Sequence, residues 1–131
     1  LITKVLYIKK HGNKKFIITD SGMNDLMRPA LYDSYHKIVP VSKIKNTEKI
    51  PTDIVGPICE STDKLLSTSE FYDVKEGDLL AILNSGAYGS SMSSNYNVRP
   101  LIEEILIDKD TFSTIRKRQS FEDIIVQEIK L

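Results

Sequence analysis

Val5-Leu6-Tyr7-Ile8-Lys9-Lys10-His11-Gly12-Asn13-Lys14-Lys15-Phe16-Ile17-Ile18-Thr19-Asp20 decides the fold class. Both ends are rich in β-branched and aromatic residues, and His11-Gly12-Asn13 between them is a turn signal. Two such runs around a Gly-Asn turn read as a β-hairpin, because these residues accept the left-handed backbone of a tight turn. The same texture recurs along the chain. His36 to Val41 resumes strand, with Pro40 pointing to an edge or a bulge. Lys43 to Lys49 is polar and reads as a solvated loop. Thr52 to Cys59 is the next strand, and Asp63-Lys64-Leu65-Leu66 reads as a short turn. A tight turn is expected at Glu76-Gly77-Asp78, before Leu79-Leu80-Ala81-Ile82-Leu83, an apolar run that suits a strand buried on both faces. Ile102 to Ile107 and Thr111 to Arg118 read as two strands across an Asp-Lys-Asp turn. Ser120 to Ile125 reads as a capped helical turn, with Asp123 three residues after Ser120. Short strands at close spacing imply a mainly β fold, an antiparallel β-sandwich or barrel with short helices.

Composition bounds the function. The chain has 131 residues, enough for one domain with a real core. Lys+Arg and Asp+Glu are equal at 18 each, whereas nucleic-acid binders carry a basic excess. No apolar run approaches membrane-spanning length, so neither nucleic acid nor membrane is an expected partner. The single cysteine permits no internal disulfide, which fits a reducing cytoplasm. No Cys/His set has metal-ligand spacing. The chain starts at Leu1 and runs straight into strand, which suggests a piece of a longer protein.

Three stretches break the strand pattern and carry reactive or charged groups. In Gly22-Met23-Asn24-Asp25-Leu26-Met27-Arg28-Pro29-Ala30-Leu31-Tyr32, Pro29 suits the first turn of a helix. Arg28 and Tyr32, four apart, would then share a face. A solvated surface loop is the plain reading, yet a guanidinium and a phenol aimed together suit a carboxylate. In Gly56-Pro57-Ile58-Cys59-Glu60-Ser61-Thr62-Asp63 the only thiol stands beside an acid. Alone, such a cysteine is more often a small buried hydrophobe than a reagent. In Gly86-Ala87-Tyr88-Gly89, followed by Ser91-Met92-Ser93-Ser94-Asn95-Tyr96-Asn97 and Arg99-Pro100, two glycines flank Ala87-Tyr88 and permit close backbone approach. The Ser and Asn residues after them suit a helix cap or a short helix, which Pro100 helps end.

Taken in this order, the three stretches resemble the C-terminal β-domain of the diaminopimelate decarboxylase family. These are pyridoxal-phosphate enzymes of the alanine-racemase-like fold type III, related to the ornithine and arginine decarboxylases. The resemblance runs from Phe16 to Ile107, and Cys-Glu-Ser favours the diaminopimelate branch, since the cysteine of the others typically precedes Asp. It implies that residues 1–131 form the single C-terminal β-domain of a two-domain enzyme whose N-terminal (β/α)8 barrel, with the Schiff-base lysine, is absent here. It implies a reaction from meso-2,6-diaminopimelate to L-lysine and CO₂, with pyridoxal phosphate held mainly by the barrel. It also implies a homodimer in which the cysteine segment enters the neighbour's site. Arg28 and Tyr32 match residues that hold a substrate carboxylate, and Glu60 matches the partner of the distal ammonium. Tyr88 matches the tyrosine that reaches the cofactor phosphate. Cys59 matches the donor of a proton to Cα, a task that suits a thiol because it is largely protonated at neutral pH. Met92, Asn95 and Tyr96 either line the same wall or simply pack.

Two departures stand out. Leu101-Ile102-Glu103-Glu104 replaces a second Arg-Pro and Ala-Glu common in the family, and Ser21 replaces a small Ala or Gly. Two other readings remain open at this stage. One is a non-catalytic regulatory homologue that kept the β-domain. The other is an unrelated β-barrel with Cys59 in the core and Arg28 on the surface. Proximity of Arg28, Tyr32 and Tyr88 discriminates against the latter.

Overall fold

The computed structural model describes residues 1–44 and 46–129, and they fall into two compact units, Leu1–Ser93 and Ser94–Leu131. The first unit contains β1 (Ile2–His11), β2 (Lys14–Thr19), α1 (Arg28–Tyr32), β3 (Ile38–Pro40), β4 (Thr47–Glu48), β5 (Thr52–Val55), β6 (Lys64–Thr68), β7 (Phe71–Tyr72), β8 (Leu79–Ile82) and α2 (Ala87–Met92). Six strands form one sheet in the order β3-β8-β1-β2-β5-β6, and β4 and β7 make a separate two-stranded ribbon. Alternation decides which face is buried. Val5 of β1, Ile17 of β2, Ile54 of β5, Leu65 of β6, and Leu80 and Ile82 of β8 point inward, joining Leu26, Ile38, Phe71 and Val74 in one core. Each such side chain contributes about 1.5–3 kcal/mol by leaving water.

The expected hairpin is present. His11 pairs with Lys14, Gly12 takes φ 55° in the two-residue loop, and the register shifts between Val5 and Tyr7. Pro40 lies on the edge strand β3. Gly77 turns at φ 91°, with the Lys75 N–H bound to the Asp78 carboxylate at 2.8 Å.

Other segments depart from the sequence reading. Within Lys43–Lys49, Ile44 packs against the core and Thr47–Glu48 pairs with β7 (Lys45 lies outside the described residues). The cause is electrostatic. Lys15 falls in register on the inner face, is 1% exposed, and needs a counter-ion there. Glu48 supplies it at 2.5 Å and also meets Lys10 at 3.2 Å. The segment read as a turn at Asp63–Leu66 becomes β6, because Leu65 reaches the core and Leu66 pairs with Ile54. In β8 only Leu80 and Ile82 are buried, while Leu79 is exposed, so the strand is covered on one face. One pair is parallel, β2 with β5, since segment 20–51 crosses over between them and carries α1, β3 and β4.

The second unit holds the hairpin of β9 (Glu104–Asp108) and β10 (Thr111–Arg116), turned at Lys109 with φ 53°. Arg116 meets Glu104 at 2.8 Å. The helix α3 (Phe121–Ile125) begins on a capping box in which Ser120 and Asp123 bond each other's backbone N–H. Among the described residues no helix is long and apolar enough to cross a membrane.

Hydrogen bonds from Lys15, then Lys10, hold the Glu48 carboxyl below its usual 4.5. A carboxyl depressed in the folded state adds stability above its unfolded value and loses it as pH falls through the folded value. The melting temperature is therefore expected to drop as pH falls below 4.5, partly through Glu48. Glu48→Gln should flatten that acid-side loss and lower stability near neutral pH by ~1–3 kcal/mol, since Lys15 loses its counter-ion. Thermal melts across this range check both, and an unchanged acid slope in the variant would assign the loss elsewhere.

Candidate active site

The first stretch is fixed by its own turn before it becomes a helix. The Gly22 N–H donates to the Asp25 carboxylate at 3.0 Å, and the Gly22 carbonyl accepts from the Asp25 and Leu26 N–H groups at 2.9 and 3.0 Å. Leu26, 1% exposed, plugs this turn into the core. α1 then starts at Arg28 with Pro29 in its first turn and ends at Asp33 in the left-handed region, φ 53°. The expected helical turn is thus present, and Arg28 and Tyr32 stand one turn apart on it. Tyr32 is exposed.

The third stretch leaves β8 through two anchors. His36 Nδ1–H donates to the Leu83 carbonyl at 3.0 Å, and the Ser85 hydroxyl donates to that of Ile82 at 2.9 Å. α2 begins at Ala87, takes in Ser90 and Ser91 of the run expected to form a cap or short helix and ends on Ser93, so Tyr88 lies in its first turn. Gly89 is buried, and a Cβ there would stand 3.2 Å from Leu26 Cδ1. This is the close approach that the glycines foreshadowed. It seats α2 against the turn that precedes α1, and Arg28 Cζ comes to lie 5.4 Å from the Tyr88 ring centroid. A guanidinium over an exposed ring gains roughly 0.5–1 kcal/mol.

The cysteine does not sit at a strand end. β5 stops at Val55, and the chain bends through residues 56–62 before β6. Ile58 is buried within the bend, whereas Cys59 and Glu60 are exposed, and the Cys59 thiol is free. That excludes a core role for Cys59. The organiser of the bend is Asp63, which the sequence reading passed over. Its carbonyl accepts from Gly56 N–H at 3.0 Å, and its carboxylate accepts from Ile58 N–H at 2.7 Å and Met23 N–H at 2.6 Å. The available signal was a pair of glycines, Gly22 and Gly56, each opening a polar stretch.

The structure therefore brings Arg28 and Tyr88 into contact, sets Tyr32 one turn from Arg28, and places Cys59 and Glu60 on a separate bend tied to Met23 through Asp63. Asn95 is used for packing within the second unit, where its amide donates to the Arg99 carbonyl at 2.9 Å and to Gln119 Oε1 at 2.6 Å. A shallow depression of about 270 Å³, lined by residues such as Tyr35, Lys37, Leu66 and Tyr72, contains none of the five candidate residues. Chemically, the half-buried Arg28 guanidinium and the exposed Tyr32 phenol offer a charge-assisted grip on a carboxylate. The thiol offers a proton, and Glu60 offers a negative charge to a cation. No group of three or more His, Cys, Asp or Glu fit to hold a metal occurs among the described residues.

Residues 1–86 match the family model described as the C-terminal sheet domain of pyridoxal-dependent decarboxylases. The chain is 48% identical over 125 residues to a diaminopimelate decarboxylase of Aquifex aeolicus, covering 95% of this chain and 30% of that protein. It is 47% identical over 124 residues to one from Helicobacter pylori, covering 95% and 31%. A crystal structure of diaminopimelate decarboxylase from Helicobacter pylori complexed with L-lysine superposes with TM-score 0.88 at 45% identity, over 97% of this chain and 31% of that one. The chain thus spans about a third of the length of the curated relatives it matches.

The stacking of Arg28 on Tyr88 predicts energetic coupling. In thermal unfolding of the chain, Arg28→Met and Tyr88→Leu should be non-additive by ~0.5–1 kcal/mol, whereas Arg28→Met and Tyr88→Phe, which keeps the ring, should be additive. Full additivity of the first pair would dismiss the contact.

Proposed function

Because the chain belongs to the pyridoxal-dependent decarboxylases, as their C-terminal sheet domain, we propose that it is the sheet domain of a two-domain diaminopimelate decarboxylase, converting meso-2,6-diaminopimelate to L-lysine and CO₂. The observation that carries the reading is the convergence of Arg28 and Tyr88 from two helices 60 residues apart in the chain, in contact at 5.4 Å, which puts the carboxylate grip beside the phenol assigned to the phosphate.

The roles follow from what each group is and where it stands. Arg28, with the Tyr32 phenol one turn on, grips a substrate carboxylate. The exposed Tyr88 hydroxyl suits one phosphate oxygen of pyridoxal phosphate, while its ring steadies Arg28. One exposed hydroxyl is far from a full phosphate cradle, and the remaining donors belong to the barrel in this reading. Pyridoxal phosphate, when bound, supplies an electron sink for the pair left at Cα as the carboxylate departs. Cys59 then delivers its Sγ proton to Cα, retaining the thiolate pair. Glu60 holds the distal ammonium, whose charge separates a diamino acid from a monoamine. The proposal includes a homodimer in which the exposed Cys59 bend serves the neighbour's barrel, and a cytoplasmic setting consistent with a free, exposed thiol.

In the full-length enzyme, Cys59→Ala is expected to lower kcat by about 10²–10⁴-fold, as for loss of a positioned general acid, with cofactor absorbance retained. Wild-type turnover in that variant would sink the proton-donor role. The 131-residue chain, given pyridoxal phosphate and diaminopimelate, is expected to release no CO₂; measurable release would overturn the two-domain assignment.

A further inference from the structure

Asp63 is 3% exposed and has no part in the roles assigned above. Its carboxylate lies between glycines of two different stretches. A Cβ on Gly22 would stand 2.9 Å from both Oδ1 and Oδ2, and 3.1 Å from Pro57 Cδ. A Cβ on Gly56 would fall within the same carboxylate and 2.5 Å from Gly22 Cα. Two backbones and one carboxylate therefore fill a layer that admits no further side chain. Within it, Oδ1 accepts from Met23 N–H and Oδ2 from Ile58 N–H. Each oxygen serves a different stretch. One leads through Leu26 into α1, with Arg28 and Tyr32; the other leads directly to Cys59 and Glu60. β6, which follows Asp63, also packs beside α1. The ionised form matters, because only a carboxylate accepts at both ends, and such charge-assisted bonds are about twice as strong as neutral ones.

We propose that Asp63 is a positioning residue: one buried carboxylate sets the Cys59–Glu60 bend in fixed register with the Arg28–Tyr32 helix. The clasp stands on this geometry alone, while its catalytic consequence rests on the function proposed above. In that function each chain's clasp joins its carboxylate grip to its proton donor. A distant error in either is then transmitted to the other, and a misplacement near 1 Å is enough to cost about 10²-fold in rate.

Asp63→Asn tests this, since it keeps shape but turns an NH₂ toward one of the two N–H groups. Hydrogen exchange in the 131-residue chain should show residues 22–26 and 56–60 losing protection together, by about 10²-fold relative to core amides. Ile17→Val, which removes a methyl group at a fully buried core site away from both segments, should leave both segments protected. In the full-length enzyme, kcat of Asp63→Asn should fall by about 10²-fold with cofactor absorbance retained, and Ile17→Val should keep wild-type kcat. Wild-type protection in either segment overturns the clasp. Loss in both with unchanged kcat overturns the catalytic consequence. A wild-type enzyme that does not decarboxylate diaminopimelate refutes the functional reading, and exchange alone then decides the clasp. Should Asp63→Asn fail to fold, Gly22→Ala, whose Cβ meets the same oxygens at 2.9 Å, is judged by the same criteria.

Discussion

A carboxylate buried beneath two loops is the constraint on which the chemistry-bearing side of this molecule depends. Out of water, Asp63 must find donors or force the loops apart. It finds them in the backbone of Met23 and Ile58, and it does so only because Gly22 and Gly56 leave room. One interaction thus accounts for three otherwise unconnected residues. The same demand fixes what lies downstream. The turn at Gly22 is closed a second time by Asp25, and Leu26 is driven into the core, so Arg28 emerges at a defined point. Gly89 then lets α2 settle against Leu26 and slides the Tyr88 ring beneath the guanidinium.

Charge is used elsewhere to hold strands whose apolar face is interrupted. Lys15 stands in register between inward-facing neighbours and is answered by Glu48 from the small ribbon, which explains why a polar connection is ordered at all. Asp53 does the equivalent at the parallel pair. Burial pushes its carboxyl up, but hydrogen bonds from Lys14 and Ser67, with the charge of Lys64, bring it below the usual 3.8 overall. Lys14, at 2.7 Å, comes from β2, and Ser67 and Lys64 come from β6. Asp53 on β5 is therefore cross-linked to the strands on both sides of it.

Local chemistry was legible in the sequence; long-range demands were not. The Gly12-Asn13 hairpin, the Gly77 turn, the Pro29 helix start and the Ser120–Asp123 box are each settled by residues a few positions apart, so their signals sit in plain view. The strand at Lys64–Thr68 was hidden because its partner β5 decides it, and β4 because Lys15, more than 30 positions away, requires Glu48. The apolar run at Leu79–Leu83 looked doubly buried because composition alone cannot tell which neighbour covers a face. For the site, spacing singled out Arg28 with Tyr32 and residue type set Cys59 beside Glu60, whereas the roles of all five candidates, Tyr88 included, came only from the family resemblance. Asp63 stayed invisible, because a carboxylate held by backbone N–H groups leaves no pattern of side-chain partners to read.

The position of β1 carries a further consequence. It is an interior strand, flanked by β2 on one side and by β8 on the other. Ile2 pairs with Ala81 and Lys4 with Leu79, so one flank of the first strand is completed by the last strand of its unit. During synthesis the hairpin with β2 can form early, but the other edge of β1 stays open until residue 82 has emerged. Ordering that pairing closes a long loop before any of its contacts are gained, which makes folding slow compared with a locally wired sheet. For that interval the unpaired edge of β1 is a template on which another strand can add.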